Sequence, residues 1–439
     1  MTRGKLDNDV SFLKDEQFKA LIPPDYCYIS FSVVKKDEDT NIRENKILVF
    51  VVDGNADIKS FSIAVDDAFF NACNAYHDLL PYSKVGNMHS KYLWRLPDGN
   101  YKVTSTRQKP PGAVFINTSE DFFEAKQKLS SQLSETLIAP ISNFIANKQN
   151  WIISPDGELN NIPFETLTFN GKLVIESKNV CYVPSLAVLK LMKEVGDKNS
   201  LIKDRKELFA MGNADYGNFS KSEVKRGHNE LKISPDKYVD LSQIKWINLP
   251  GTSKELNQVS ELFSANKQEI ITGAEASERN LKQQDKSGNL GQYKFILFAT
   301  HGLFLPEKPE LSSIVLSQNI TDEEYDGYVT VGELLGYNLN SDLVYLSACE
   351  SGLGDYRAGE GIIGLPYALT IAGNKDTVMS LWEVNDEATA EFSSAFFKKL
   401  SRGKTEIQAL NETKREFLSS ANEKLKNPSV WAAFLLYGI

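Results

Sequence analysis

Apolar and polar positions divide this chain into two halves of different texture. In the second half, short continuous apolar runs recur at Glu207–Gly212, Glu269–Thr272, Lys294–Thr300, Leu343–Leu346, Asp376–Trp382 and Trp431–Leu436. A run of roughly four to eight such residues between turn signals predicts a strand buried on both faces. Between the runs, residues 252–263, 277–284, 361–372, 386–400 and 405–419 repeat apolar positions at helical spacing, as Phe392, Phe396 and Leu400 do. Thr252-Ser-Lys-Glu255 has the spacing of a capping box and predicts the start of the first of these helices. Strands that alternate with helices predict a mainly parallel sheet of six strands, flanked by helices. Residues 311–317 and 329–337 read as a hairpin-like excursion with a helix, and the polar stretch 215–245 as a long surface loop.

The first half is less regular. A short polar helix is expected before Pro23 and Pro24. Tyr26–Val34 and Lys46–Val52 are rich in β-branched and aromatic residues and predict an antiparallel hairpin. Asp66–Leu80 carries Phe69, Cys73, Tyr76 and Leu80 on one helical face, and a longer helix is expected from Ser119 to Ile138. Trp151–Ser154 and Asn179–Val183 are further strands. The turn Pro155-Asp156-Gly157 needs its aspartate for backbone capping and its glycine for positive φ, so Asp156 reads as structural. Polar residues 197–206 mark a boundary, giving an N-terminal α/β domain over residues 1–200 and a second domain over 201–439.

Composition narrows the function classes. The length of 439 residues fits two or three domains. A net charge of −9 and the absence of a basic run argue against nucleic acid as a direct partner. No stretch approaches the roughly 20 apolar residues of a membrane span, and no signal-peptide core is present. Cys27, Cys73, Cys181 and Cys349 are widely spaced, with no CxxC. That excludes a zinc ribbon, makes a disulfide framework a poor fit, and points to a reducing cytoplasm.

The chemistry is expected at two strand tips. In a parallel sheet, functional groups gather at the carboxyl ends of the strands. The run ending at Thr300 delivers His301-Gly302, and the run ending at Leu346 delivers Ser347-Ala-Cys349 followed by Gly352, Gly354 and Gly359. Cys27 and Cys181 lie inside strands and Cys73 on a helical face, so each reads as core; His77, His89 and His228 show no partner pattern. A thiol and an imidazole at neighbouring tips suit a nucleophile and its base, with no metal or cofactor required. The Gly302 and Cys349 N–H groups are the candidate oxyanion donors, because a side chain at 302 would crowd the approaching carbonyl. The glycine-rich loop after Cys349 is read as ordering around a substrate.

Several motifs together resemble one family. Phe298-Ala-Thr-His301-Gly302, Leu346-Ser-Ala-Cys349-Glu-Ser-Gly352-Leu-Gly354, Gly359-Glu-Gly361, Met379-Ser-Leu-Trp382-Glu-Val-Asn-Asp386 and Val430-Trp431-Ala-Ala-Phe434 are similar to the CHAT proteases. Ser154-Pro-Asp-Gly157-Glu-Leu-Asn-Asn-Ile-Pro163-Phe164-Glu165 and Tyr182-Val-Pro-Ser185 extend the match towards the N-terminus. These are caspase- and separase-like cysteine peptidases, common in bacteria and often fused to helical repeats. The resemblance implies a caspase-like three-layer αβα fold, with a degenerate, non-catalytic caspase-like copy in the N-terminal half. It implies a His301/Cys349 dyad, a protein substrate, and control by a regulatory partner or upstream signal, in a bacterial defence or programmed-death type of role.

It also implies where the pocket for the residue before the cut is built. The end of the first strand gives Asn213 to Asp215, the position two before the cysteine gives Ser347, and the end of the fifth strand gives Trp382, Glu383 and Asp386. Relatives that cut after Arg or Lys often carry Asp two before the cysteine, and caspases carry Gln. Ser347 departs from both, so Asp215, Glu383 and Asp386 are left as candidate partners for a basic side chain, or as solvated loop acids. Two other classes stay open: a catalytically silent caspase-like scaffold, and an acyltransferase or thiol hydrolase acting on a non-peptide substrate. The polar start of the chain leaves open that it is a fragment of a longer repeat-containing protein.

Overall fold

The computed structural model describes residues 21–36, 42–55, 57–84, 86, 88, 91–217, 241, 244–305, 308–318, 324–347, 349–350 and 360–439, with backbone alone at 349–350 and 360–363. The expected N-terminal helix, His89, His228, most of the 215–245 stretch, and Gly352, Gly354 and Gly359 lie outside these residues.

Fifteen strands and seven helices carry the argument. The N-terminal half contributes β1 (Tyr26–Val34), β2 (Asn45–Asp53), β3 (Ile58–Val65), α1 (Asp67–Leu79), α2 (Ser119–Leu137), β4 (Asn150–Ser154), β5 (Asn179–Tyr182) and α3 (Leu186–Ser200). The C-terminal half begins with β6 (Lys206–Ala214), α4 (Pro250–Ser260), β7 (Gln268–Gly273) and β8 (Tyr293–Ala299). The short strands β9 (His301–Leu303), β10 (Ser313–Val315) and β11 (Tyr328–Thr330) follow, then β12 (Leu343–Leu346) and β13 (Cys349–Glu350). The remaining elements are α5 (Glu360–Ile371), β14 (Asp376–Ser380), α6 (Asp386–Leu400), α7 (Glu406–Leu418) and β15 (Phe434–Tyr437).

One sheet of 11 strands runs through the molecule in the order β7-β6-β8-β12-β14-β15-β5-β4-β1-β2-β3. It is mainly parallel; β15 runs antiparallel to β14, and β1, β2 and β3 form an antiparallel meander. The six strands expected from the second half occupy one contiguous stretch of the sheet, with β8 and β12 as neighbours. Helices α4, α6 and α7 pack in a chain on one side, and α3 pairs with α5, which lies on β14. The result is a mixed α/β fold. The sheet is unbroken across residue 200: β5 meets β15 through the pair Tyr182 and Tyr437. Beyond that pair, the Asn411 side chain takes the place of a strand, accepting from Val180 N–H and donating to its carbonyl.

Local chemistry explains several elements. Asn385 caps α6 by accepting from Glu387 N–H, while Lys398 and Lys399 sit in its last turn, where cations suit the helix dipole. Its buried face stacks Phe392 on Phe434 with centroids 4.1 Å apart and brings Phe396 and Phe397 onto Tyr345 of β12. Gly157 has φ of 55° and Asp156 accepts from Val33 N–H, the structural use expected of that turn.

Three expectations need correction. The third strand of the meander, β3, was not expected; its alternation is diluted by Lys59, Ser60 and Ser62 on an edge that is partly exposed. The Trp431 end of the last apolar run is not strand: Pro428–Trp431 is a helical turn, and the strand starts at Phe434. Nor does Thr252 cap a helix. Pro250 occupies the first turn, where its missing N–H costs nothing, so α4 starts at Pro250 with Thr252 inside its first turn. Thr252 Oγ1 donates to Leu249 O and accepts from Asn213 N–H. The shift turns Glu255, expected as the last residue of a capping box, into the protein interior, where it is 1% exposed.

Candidate active site

β8 and β12 each stop and restart as short strands of a second sheet. This four-stranded sheet has the order β11-β10-β9-β13. Its β9 and β13 are parallel, with His301 opposite Cys349 and Gly302 opposite Glu350. Paired strands lie about 4.8 Å apart. The two tips predicted to carry the chemistry are therefore register partners in the backbone.

His301 is 5% exposed and held on several sides. The rings of Tyr216 and Trp246 flank its imidazole, each with its centroid 4.8 Å away. The Tyr216 hydroxyl accepts from His301 N–H at 3.1 Å and donates to Val315 O at 2.8 Å, so it bridges β9 and β10. Trp246 Nε1 donates to Tyr328 Oη, which in turn donates to Leu241 O. His301 Nε2 is 2.8 Å from Ile247 O. A carbonyl only accepts, so Nε2 carries a proton and, in the neutral ring, the lone pair sits on Nδ1.

Tyr216 and Trp246 were not expected in the site. Tyr216 lies inside the polar stretch read as a surface loop and Trp246 directly after it, yet both are fully buried. The signal available in the sequence was an aromatic at each edge of that stretch.

A cavity of about 440 Å³, counting its open mouth, adjoins the imidazole. His301, Ser347, Glu255, Glu383, Asp386 and Gly251 are among its walls. Of the expected pocket residues, this cavity gathers Ser347, Glu383 and Asp386. Asn213 stands behind it: its left-handed φ of 47° bends the end of β6 so that its N–H reaches Thr252. Asp215 and Trp382 are not among the described lining residues. The Asp215 carboxylate accepts from Gly217 N–H, and its carbonyl accepts from Ser317 and Gln318. Trp382 is turned towards His77, and its Nε1 donates to Ser429 O.

Glu255 closes the inner end of the cavity. Its Oε2 accepts from Ser347 Oγ at 2.9 Å and its Oε1 from Ser393 Oγ at 2.6 Å. Burial pushes its carboxyl up to about 7; the two hydroxyls hold it down and the nearby Asp386 pushes it further up. Gly251 brings α4 onto the start of α6, because a Cβ there would lie 2.2 Å from Asp386 Cβ. Among the described residues no cluster of three or more His, Cys, Asp or Glu could hold a metal ion. Cys27, Cys73 and Cys181 are buried and unbridged. No helix among the described residues is long and apolar enough to cross a membrane.

Residues 127–439, well over half of the chain, match the CHAT domain. The chain belongs to the CHAT domain family. Tetratricopeptide repeat protein 28 of Homo sapiens is 25% identical over 350 residues, covering 70% of this CHAT chain and 13% of the human protein. Its Mus musculus counterpart is 25% identical over 228 residues, covering 44% and 9%. The chain thus spans only a small part of the curated relatives it matches. Among solved structures, the Saccharomyces cerevisiae separase–securin complex aligns at TM-score 0.43 and 11% identity over 97% of this chain and 30% of that one. The Arg-specific cysteine proteinase gingipain R aligns at TM-score 0.40 and 9% identity over 70% and 68%.

Proposed function

We propose that this CHAT domain chain is a cysteine endopeptidase, with Cys349 as nucleophile and His301 as general base and then general acid. The observation that carries the reading is the parallel register of β9 and β13, which makes His301 and Cys349 backbone partners. In the proposed reaction, His301 Nδ1 takes the thiol proton and the sulfur bonds to the scissile carbonyl carbon. The N–H groups of Gly302 and Cys349 receive the charge that develops on the carbonyl oxygen. The carbon–nitrogen bond then breaks, and the amine leaves with the proton from His301. Water, deprotonated by the same imidazole, hydrolyses the thioester and restores the thiol.

The hold on His301 supports this reading, since an imidazole that relays a proton needs one tautomer and one orientation. The substrate in this reading is a protein. Curated relatives named for tetratricopeptide repeats, and far longer than the chain, support control by a regulatory partner or a repeat-bearing segment.

A cysteine-directed covalent peptide probe tests the assignment. Labelling is expected for the wild type and lost in Cys349→Ala and His301→Ala, with circular dichroism verifying that both variants are folded at the assay temperature. A folded wild type that is never labelled, while still binding a partner protein, would favour the silent scaffold.

A further inference from the structure

We propose that the cavity beside His301 takes a long cationic side chain, lysine or arginine, from the acyl side of the scissile bond, and that Glu255 is the specificity-determining counter-charge at its inner end. This inference rests on the peptidase reading for its place in the reaction, and on the cavity alone for its chemistry.

Position comes first. The cavity is walled by His301 and by Ser347, which lies two residues before Cys349. A side chain entering there belongs to the residue whose carbonyl faces the dyad. Charge comes second. Glu255, Glu383 and Asp386 all line the cavity, and no lysine or arginine is among its described lining residues. The N-termini of α4 and α6 also open on it, each equivalent to about half a positive charge. They offset part of the carboxylate charge.

Reach comes third. Glu255 lies in the second turn of α4 and is 1% exposed, so its carboxylate meets the cavity from inside the protein. A short side chain would leave a buried carboxylate without a charged partner, whereas lysine and arginine carry a cation at the end of a long apolar stem. Each Glu255 oxygen accepts one hydroxyl and has capacity for a second donor. A buried carboxyl that ionises near neutrality becomes more acidic beside a cation, so ligand charge and Glu255 ionisation reinforce one another.

Ser347 thus has a role different from that of a charged residue at its position. Its hydroxyl holds Glu255, and the negative charge reaches the cavity from α4 instead of from β12. A sequence comparison at position 347 alone would miss it.

The test uses the full chain carrying Cys349→Ala, so that binding is read without turnover. Capped tetrapeptide pools fixed at their C-terminal residue as lysine, arginine, norleucine or aspartate are titrated at pH 8. Lysine or arginine pools are expected to bind at least about tenfold more tightly than norleucine, and Glu255→Gln should erase most of that ratio. Asp386→Asn serves as a second variant should the buried substitution unfold the chain, with a smaller loss expected. Equal or tighter binding of norleucine or aspartate, or no binding of any pool, overturns the proposal. The two readings fail separately. Wild-type cleavage after uncharged residues removes the cationic pocket and leaves the peptidase. Selective binding of lysine or arginine by a wild type that cleaves nothing leaves the pocket and removes the peptidase.

Discussion

The Ser347 hydroxyl donates to Glu255 Oε2 at 2.9 Å, fastening the strand that leads to Cys349 to the inner end of the neighbouring cavity. A hydrogen bond to a charged group contributes about 1.5–3 kcal/mol, equivalent to about one to two pH units in the acceptor. Ser347→Ala should therefore raise the pH at which Glu255 ionises by about one unit. Carboxyl carbon chemical shifts followed through pH 5–9 would read this directly, and an unmoved titration would refute it.

Glu255 also makes stability depend on pH, with a definite sign. Burial lifts its carboxyl from the ordinary 4.5 to about 7. Between those values the folded chain keeps a proton that the unfolded chain has released. The contribution is complete below about pH 4.5 and is lost as pH rises through 7, at about 3 kcal/mol in all. Glu255→Gln removes this slope, so the variant should gain on the wild type as pH goes from 5 to 8. Melting curves that run parallel across that range would count against the assignment.

Tyr216 should matter through its hydroxyl. Tyr216→Phe keeps the ring against His301 and removes the bridge from His301 N–H to Val315 O. Leaving two buried backbone groups with one partner fewer costs about 1–3 kcal/mol. Under the peptidase reading, kcat should fall about tenfold with little change in KM, because the base is displaced and the substrate cavity is not. A loss confined to KM would contradict this.

Lys414 and Glu165 form an ion pair in which neither side chain is exposed, and Tyr182 Oη donates to the same carboxylate. Desolvation lowers the Lys414 pKa, and the Glu165 charge counters it. Lys414→Met leaves a buried carboxylate without its cation and should cost about 3–5 kcal/mol. Adding Glu165→Gln, which keeps an acceptor for Tyr182, should recover much of that loss. Urea midpoints of the two variants would decide: a double variant no more stable than the single one rules out the argument.

The order of strands and helices in the C-terminal half is written plainly in the sequence, because the central strands β8, β12, β14 and β15 are buried on both faces and so appear as short apolar runs, while the edge strand β7 shows only Ile270 and Ile271. The same runs place His301 and Cys349 at strand tips. Long-range effects are not visible in this way. Thr252 and Glu255 satisfy a capping pattern by spacing, and only the position of Pro250 and the packing of α4 on β6 and α6 turn Glu255 inward. Tyr216 and Trp246 look like loop residues because their partner, His301, is far away in sequence. The β3 edge is half polar, so burial gives it no clear period.

The position of β15 bears on how the sheet is assembled. It is the last described strand in sequence order, yet it lies in the middle of the sheet, between β14 and β5. During synthesis, the backbone edge of β5 stays bare until Phe434–Tyr437 has emerged, with Asn411 able to cover only Val180 in the meantime. A bare parallel edge recruits other strands. The two halves can each collapse early, but the seam closes last, and a nascent chain halted before that point presents two open edges instead of none at its centre.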